Sequence, residues 1–263
     1  MYRKLFISKV FMAILMIVIL INMANADSYV EQCDVDDYII KAIGIEETWI
    51  ENAVYGFTQF SNNKNGQLSF YPEVETKFSN RLGAEIDLPP CVSNYPIGKG
   101  NSGIGAVTIG PKVLLLRKCD FQEGKAYLLT FETEFSYSPI PNSIASTGNS
   151  LTEQIEYGVL SYPYFSTGEL GYTEKLSNEA TNGYFVNISL GRNIISSFAV
   201  QLEIEADNQY LYNNKHALEG FLMPQVEYHI SGWMLGVGEQ ASLQEYSSKT
   251  EYSTWIMIGR EFV

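Results

Sequence analysis

The sequence predicts an all-β chain, an up-and-down antiparallel transmembrane β-barrel of about twelve strands. Three observations predict it. Segments in which apolar and charged residues alternate recur along the chain. They run roughly eight to fourteen residues, longer than the usual five or six of a globular strand and enough for a tilted spanning strand of about nine to eleven. The joints between them alternate short and long, the pattern of a barrel with tight periplasmic turns and longer external loops. After the N-terminus no stretch is long and apolar enough for a transmembrane helix, so a membrane position has to be reached through strands.

The first 26 residues read as a signal peptide. Arg3, Lys4 and Lys9 precede an apolar run at 10–21, and Ala24-Asn25-Ala26 is a small-residue cleavage pattern. The remaining 237 residues carry 14 basic and 30 acidic side chains, a net charge of −16. That surface excludes nucleic acid as a partner. Eighteen tyrosines suit a protein with two water–lipid interfaces. Residues 27–48 are polar and acidic with one apolar patch at 38–45, and read as a periplasmic N-terminal arm. Residues 49–263 are the barrel, with no second domain.

The first strand is expected over 49–60, and Asn65-Gly66 is a hairpin signal. In 69–78, Phe70, Pro72, Val74, Thr76 and Phe78 oppose Tyr71, Glu73, Glu75 and Lys77. After Ser79-Asn80-Arg81, Leu82, Ala84, Ile86 and Leu88 oppose Gly83, Glu85 and Asp87. This is an antiparallel hairpin with one apolar and one charged face. Further strands are expected at 104–117, 125–137, 153–164, 169–175, 183–190, 197–206, 218–230, 233–242 and 250–263. The turn between the sixth and seventh is placed at Ser166-Thr167-Gly168.

In a membrane barrel the apolar face meets lipid and the charged face a lumen. Glu73, Glu75, Glu85, Asp87, Glu132, Glu134, Glu203 and Glu205 share the lumen parity of their strands, with Lys77, Lys112 and Arg260 as counter-charges. Two readings follow. One is an acidic, cation-preferring pore or binding cavity for a small solute that the sequence does not name. The other is a closed, salt-bridged lumen in a structural or adhesive barrel. A third class, an outer-membrane hydrolase, would need His and Ser at the external rim. His216 falls in a polar loop and His229 low on an inward parity, so no catalytic residue is assigned. No Cys and His spacing suits a metal, and no cofactor is expected.

Three cysteines in an oxidising periplasm invite one bridge. Cys33 in the arm and Cys119 in the joint after the fourth strand share the periplasmic side. Cys91, in the loop after the third strand, lies across a hydrocarbon layer of about 25 Å, too far for a disulfide. The expected pair is Cys33–Cys119.

Two stretches carry a family resemblance. Residues 72–78, the turn 79–81, the acidic strand 82–89 ending in Asp87-Leu88-Pro89, the glycine-rich 98–103 and the glycine-bearing 104–112 resemble bacterial outer-membrane β-barrel proteins assigned as transporters, of the phenol-degradation meta-pathway type. Trp255, Ile256, Ile258, Gly259 and Phe262 resemble the aromatic-rich terminal strand by which outer-membrane proteins are recognised for assembly. The resemblance implies a passive barrel in the bacterial outer membrane, with membrane lipid and the assembly machinery as partners. It carries over no catalytic residue.

Overall fold

The computed structural model describes residues 39, 41–61, 66–94, 102–120, 122–140, 148–177, 182–208, 211–212, 215–216, 218–243 and 252–262. The expected signal peptide, residues 27–38 of the arm, Cys33 and the turn residues 62–65 lie outside them.

Twelve strands form the wall: β1 (Ala53–Ser61), β2 (Gln67–Lys77), β3 (Leu82–Asp87), β4 (Val107–Asp120), β5 (Lys125–Tyr137), β6 (Ser150–Ser161), β7 (Tyr164–Lys175), β8 (Gly183–Ile195), β9 (Phe198–Asp207), β10 (Glu219–Ile230), β11 (Trp233–Ser242) and β12 (Tyr252–Glu261). Each pairs antiparallel with the next in sequence. β1 pairs with β2 on one side and β12 on the other, which closes the barrel and leaves no edge. β3 has only 6 residues because Pro89 and Pro90 offer no N–H to a ladder. The chain resumes along the first half of β2 as Cys91–Asn94 and returns through Ser102–Ile104.

Both chain ends of the barrel lie at one rim, the terminal rim, where the joints are short. The other rim, the loop rim, carries the long joints. Several boundaries differ from the sequence expectation, among them the end of β8, which runs on to Ile195. β1 begins at Ala53 rather than at residue 49. β4 continues to Asp120, so the turn before β5 is shorter than the sequence suggested. The turn between β6 and β7 is Tyr162-Pro163, not 166–168, because Pro163 cannot donate to the ladder.

Outward, apolar residues stay in line from strand to strand. Phe131, Ile155, Leu170 and Val186 pair in sequence across β5 to β8, and Val200, Val226, Val237 and Ile256 across β9 to β12. Nearly all of these side chains are exposed. Exposed aromatics mark both rims: Tyr127, Tyr162, Tyr164 and Trp233 at the terminal rim, Phe60, Tyr137, Tyr184 and Tyr252 at the loop rim. Tyr127 and Tyr137 bracket this band on one strand, about 33 Å along it. At a tilt near 40° that is a height of about 25 Å, the apolar thickness of a spanning barrel. An apolar face this large suits hydrocarbon, not water.

Candidate functional site: a filled acidic interior

The interior is not empty. Residues 41–52 run inside the wall and bind to it around most of its circumference. Lys41 places its backbone carbonyl against the Gln201 amide on β9 at 3.1 Å. The Ile43 N–H donates to Gln225 on β10 at 3.1 Å and the Gly44 N–H to Glu203 on β9 at 3.3 Å. The Glu46 N–H donates to Glu169 on β7 at 3.1 Å. Thr130 on β5 donates to the Thr48 carbonyl at 2.6 Å. A segment without secondary structure carries orphan backbone groups, and here the wall's side chains satisfy them. Two wall glycines permit the approach. A Cβ on Gly158 would come 2.5 Å from the Thr48 hydroxyl, and one on Gly83 2.6 Å from the Ile50 side chain.

Two ammonium groups organise the charges. Lys41 pairs with Glu47, with Glu73 at 2.8 Å and with Glu75 at 3.6 Å. Its ammonium also lies 4.2 Å from the Tyr55 ring centre and 5.5 Å from that of Phe57. Lys112 on β4 faces Glu85 at 3.2 Å, Glu132 at 3.6 Å and Glu47 at 3.9 Å. Glu47 thus lies between the two lysines and bridges segment and wall. Burial alone would raise the Glu47 carboxyl; the ammonium groups of Lys41 and then Lys112 outweigh it and hold the carboxyl at about 2. Glu46, Glu47, Glu73, Glu75 and Glu85 bring one oxygen each within 4.8 Å of one another, and the two lysines supply the positive charge there.

Around and beyond the lysines, glutamine amides donate to the acids. Gln154 donates to Glu132 and Glu156, both at 3.2 Å. Gln201 donates to Glu227 at 2.8 Å, Gln225 to Glu203 at 2.9 Å and Gln240 to Glu205 at 2.9 Å. Two apolar clusters pack the segment against different arcs of the wall. Ile39, Trp49 and Ile50 pack with Leu114, Leu128, Leu160 and Phe165, and Ile43 packs with Tyr55, Phe57 and Met223, Met234 and Met257.

Of the residues singled out from sequence, Glu73, Glu75, Glu85, Lys112, Glu132 and Glu203 are buried together against the inner segment. Asp87, Glu134 and Glu205 are half-buried nearer the loop rim. Lys77 is exposed at the terminal rim. Arg260 does not join the inward group. It shares the outward parity of Ile256 and Ile258, lies over the Trp233 ring and donates to the Ser231 carbonyl at 2.5 Å. Lys41, Glu47, Glu156 and Glu169 were not singled out. A lysine inside the otherwise apolar patch at 38–45 is the signal that would have found the first. The misplaced turn at 166–168 hid the last. His229 sits beside Glu227, 3.7 Å away, at the terminal rim.

At the terminal rim Asn52 ties the segment's end to the wall. Its carbonyl accepts from Phe262 N–H at 2.8 Å and its side chain from Lys77 N–H at 2.9 Å. Glu51 beside it accepts from Tyr55 and, at 2.9 Å, from the Trp49 indole. In the loop-side half a cavity of about 310 Å³ remains between the segment and the wall, lined by Lys41, Glu46, Phe57, Tyr71, Glu73, Asp87 and Trp255 among others.

No family model and no curated protein sequence matches the chain. Solved structures do. A NanC porin in a rhombohedral crystal form matches with a TM-score of 0.56 at 11% identity, over 80% of this chain and 100% of that one. A KdgM porin matches with a TM-score of 0.51 at 8% identity, over 80% and 99%. A KdgM porin in complex with disordered oligogalacturonate gives 0.53 at 9%, again over 80% and 99%. The fold is therefore that of the porin-type β-barrels. At these identities the likeness is one of fold.

Proposed function

We propose that this protein is a bacterial outer-membrane channel for small solutes, cation-preferring, whose lumen is held closed at rest by residues 41–52. One observation carries the reading: a barrel with a lipid-suited outer face has an inner face whose carboxylates far outnumber its ammonium groups. A wall of that charge favours cations over anions. The oligogalacturonate of the KdgM complex is a polyanion, the wrong charge for this interior. The segment enters from the periplasmic side, as an arm that follows signal-peptide removal. A Cys33–Cys119 disulfide anchors it. In support, Cys91 is free and exposed, and Cys119 is engaged and packs against the cluster containing Ile39 and Trp49. Membrane lipid and the outer-membrane assembly machinery are its partners. The resemblance at 72–112 agrees with a passive transporter and specifies no solute. No catalytic residue is assigned; His229, at the terminal rim, is at the wrong end for a hydrolase facing outward.

A second reading is favoured by the same inner segment: a permanently closed structural barrel. Planar-bilayer recordings decide between them. A channel shows discrete conductance steps and a reversal potential displaced toward the cation equilibrium in a KCl gradient. Absence of steps from the full chain, and also from a variant with the segment's anchors removed, supports the closed barrel.

A further inference from the structure

The cavity in the loop-side half offers a definite ligand chemistry. Its aromatic wall is Tyr71 on β2 and Trp255 on β12, stacked with ring centres 5.7 Å apart. Both rings are fixed at their polar ends. Tyr71 donates to Gln59 at 3.2 Å and the Trp255 indole to Gln240 at 3.1 Å. The half-buried carboxylates of Glu46 and Asp87 line the same cavity. Lys41 also touches the space, but Glu47, Glu73 and Glu75 already match its charge. Lys112 reaches Glu46 only at 4.0 Å and is shared with Glu47, Glu85 and Glu132, and Asp87 forms no ion pair among the described residues, so carboxylate stays in excess over ammonium around the cavity. Its volume of about 310 Å³ is that of a small-ligand pocket.

A second observation shows what these surroundings hold. The protein's own alkylammonium, Lys41, sits at the cavity floor, bound by carboxylates and by the faces of Tyr55 and Phe57. Desolvated ammonium groups are held well by this pairing of carboxylate and ring face. One step toward the loop rim, Glu46, Asp87, Tyr71 and Trp255 repeat the combination around empty space.

We propose that this cavity binds a small organic cation with primary ammonium groups on an aliphatic chain, its charge met by Glu46 and Asp87 and its alkyl body laid on the Tyr71–Trp255 pair. The proposal rests on the channel reading for the solute's access to the interior, and it names the solute class of that channel. A dicarboxylate is repelled by the same carboxylates, and a neutral diol keeps only the contact of its alkyl body with the two rings.

The test is isothermal titration of the full-length protein, folded in detergent, with 1,5-diaminopentane, 1,5-pentanediol and glutarate. Saturable one-to-one binding of the diamine is expected, at least about ten-fold tighter than either control. Asp87→Asn removes one charge at nearly constant volume and weakens binding about five-fold, the worth of one partly screened ion pair. Trp255→Leu weakens it by a similar factor. Heat-modifiable gel migration checks that both variants are folded. Diamine binding no tighter than that of the diol overturns the proposal, as does a diamine affinity unchanged in folded Asp87→Asn. Conductance read in parallel separates the two ideas. A barrel that conducts but binds no diamine loses only the site. One that binds the diamine but never conducts loses the channel.

Discussion

The ammonium of Lys41 lies 2.8 Å from the carboxylate of Glu73, 32 residues further along the chain. It joins a segment without secondary structure to the second strand of a closed barrel. Lys41→Met keeps the bulk of the side chain and removes its charge. Glu47, Glu73 and Glu75 then face one another in the interior with one cation fewer. Breaking a buried pair in this way typically costs about 3–5 kcal/mol. The expected result is release of residues 41–52, seen as faster cleavage there in limited proteolysis and as a higher mean conductance. Protection equal to that of the wild type would mean that the backbone hydrogen bonds to Gln201, Gln225 and Thr130 hold the segment without the lysine.

The wall's charge is open to reversal. Glu132 and Glu203 are both fully buried on inward parities of β5 and β9. Glu132→Lys combined with Glu203→Lys is expected to move the reversal potential in a KCl gradient away from the cation equilibrium. An unchanged potential would mean that ions do not pass these residues.

Much of this wall was legible in the sequence. Where one face meets lipid and the other meets carboxylates and amides, the alternation is clean, and Glu73, Glu85, Glu132 and Glu203 fall on the expected side. It fails where the inside is also apolar. On β12, Trp255 and Met257 face inward beside outward Ile256 and Ile258, because a layer of methionines and aromatics fills the barrel there. With both parities apolar, the period vanished and Arg260 was assigned to the wrong face. On β4 a bulge between Leu114 and Leu116 shifts the parity midway. Residues 41–52 were the least legible. A run such as Ile45-Glu46-Glu47-Thr48 reads as a solvated acidic arm until Lys41, Lys112 and the wall amides are placed around it.

Glu51 gives the docked segment a pH dependence. Burial, and then the charges of Glu47 and Glu261, push its carboxyl up to about 8 against the hydrogen bonds from Tyr55 and Trp49. Released into water it would titrate near the ordinary value of about 4.3. The docked state therefore binds the proton more tightly. Its contribution to docking is complete below about pH 4 and is lost as the pH rises through about 8. Glu47, held at about 2 when docked, stays ionised across that window and adds no slope. Mean conductance is expected to rise between pH 5 and 9, and to rise less in Glu51→Gln. Identical slopes in the two proteins would remove Glu51 from the account.

The last prediction concerns the three cysteines. Cys91 opens the short strand at the loop rim and is a free, exposed thiol. Cys119 lies near the opposite end of β4, one residue from the turn at the terminal rim, with the apolar band between the two. A disulfide spans Cα atoms no more than about 7 Å apart, so the height of the barrel forbids a Cys91–Cys119 bridge. Cys119 packs against the cluster of Ile39 and Trp49, which brings the chain just beyond Cys33 to the same end of the interior. A membrane-impermeant maleimide added to whole cells is expected to label Cys91 without prior reduction. Mass mapping of the non-reduced protein is expected to return a Cys33–Cys119 peptide. Reduction should leave the barrel closed, since the strand ladder does not depend on the bridge, but loosen the segment it anchors. That loosening would appear as faster proteolysis at 41–52 in the reduced protein, and the Cys33→Ser variant should show it without reductant. A mapped Cys91–Cys119 peptide would contradict the register of β2, β3 and β4 and with it the assignment of the two rims.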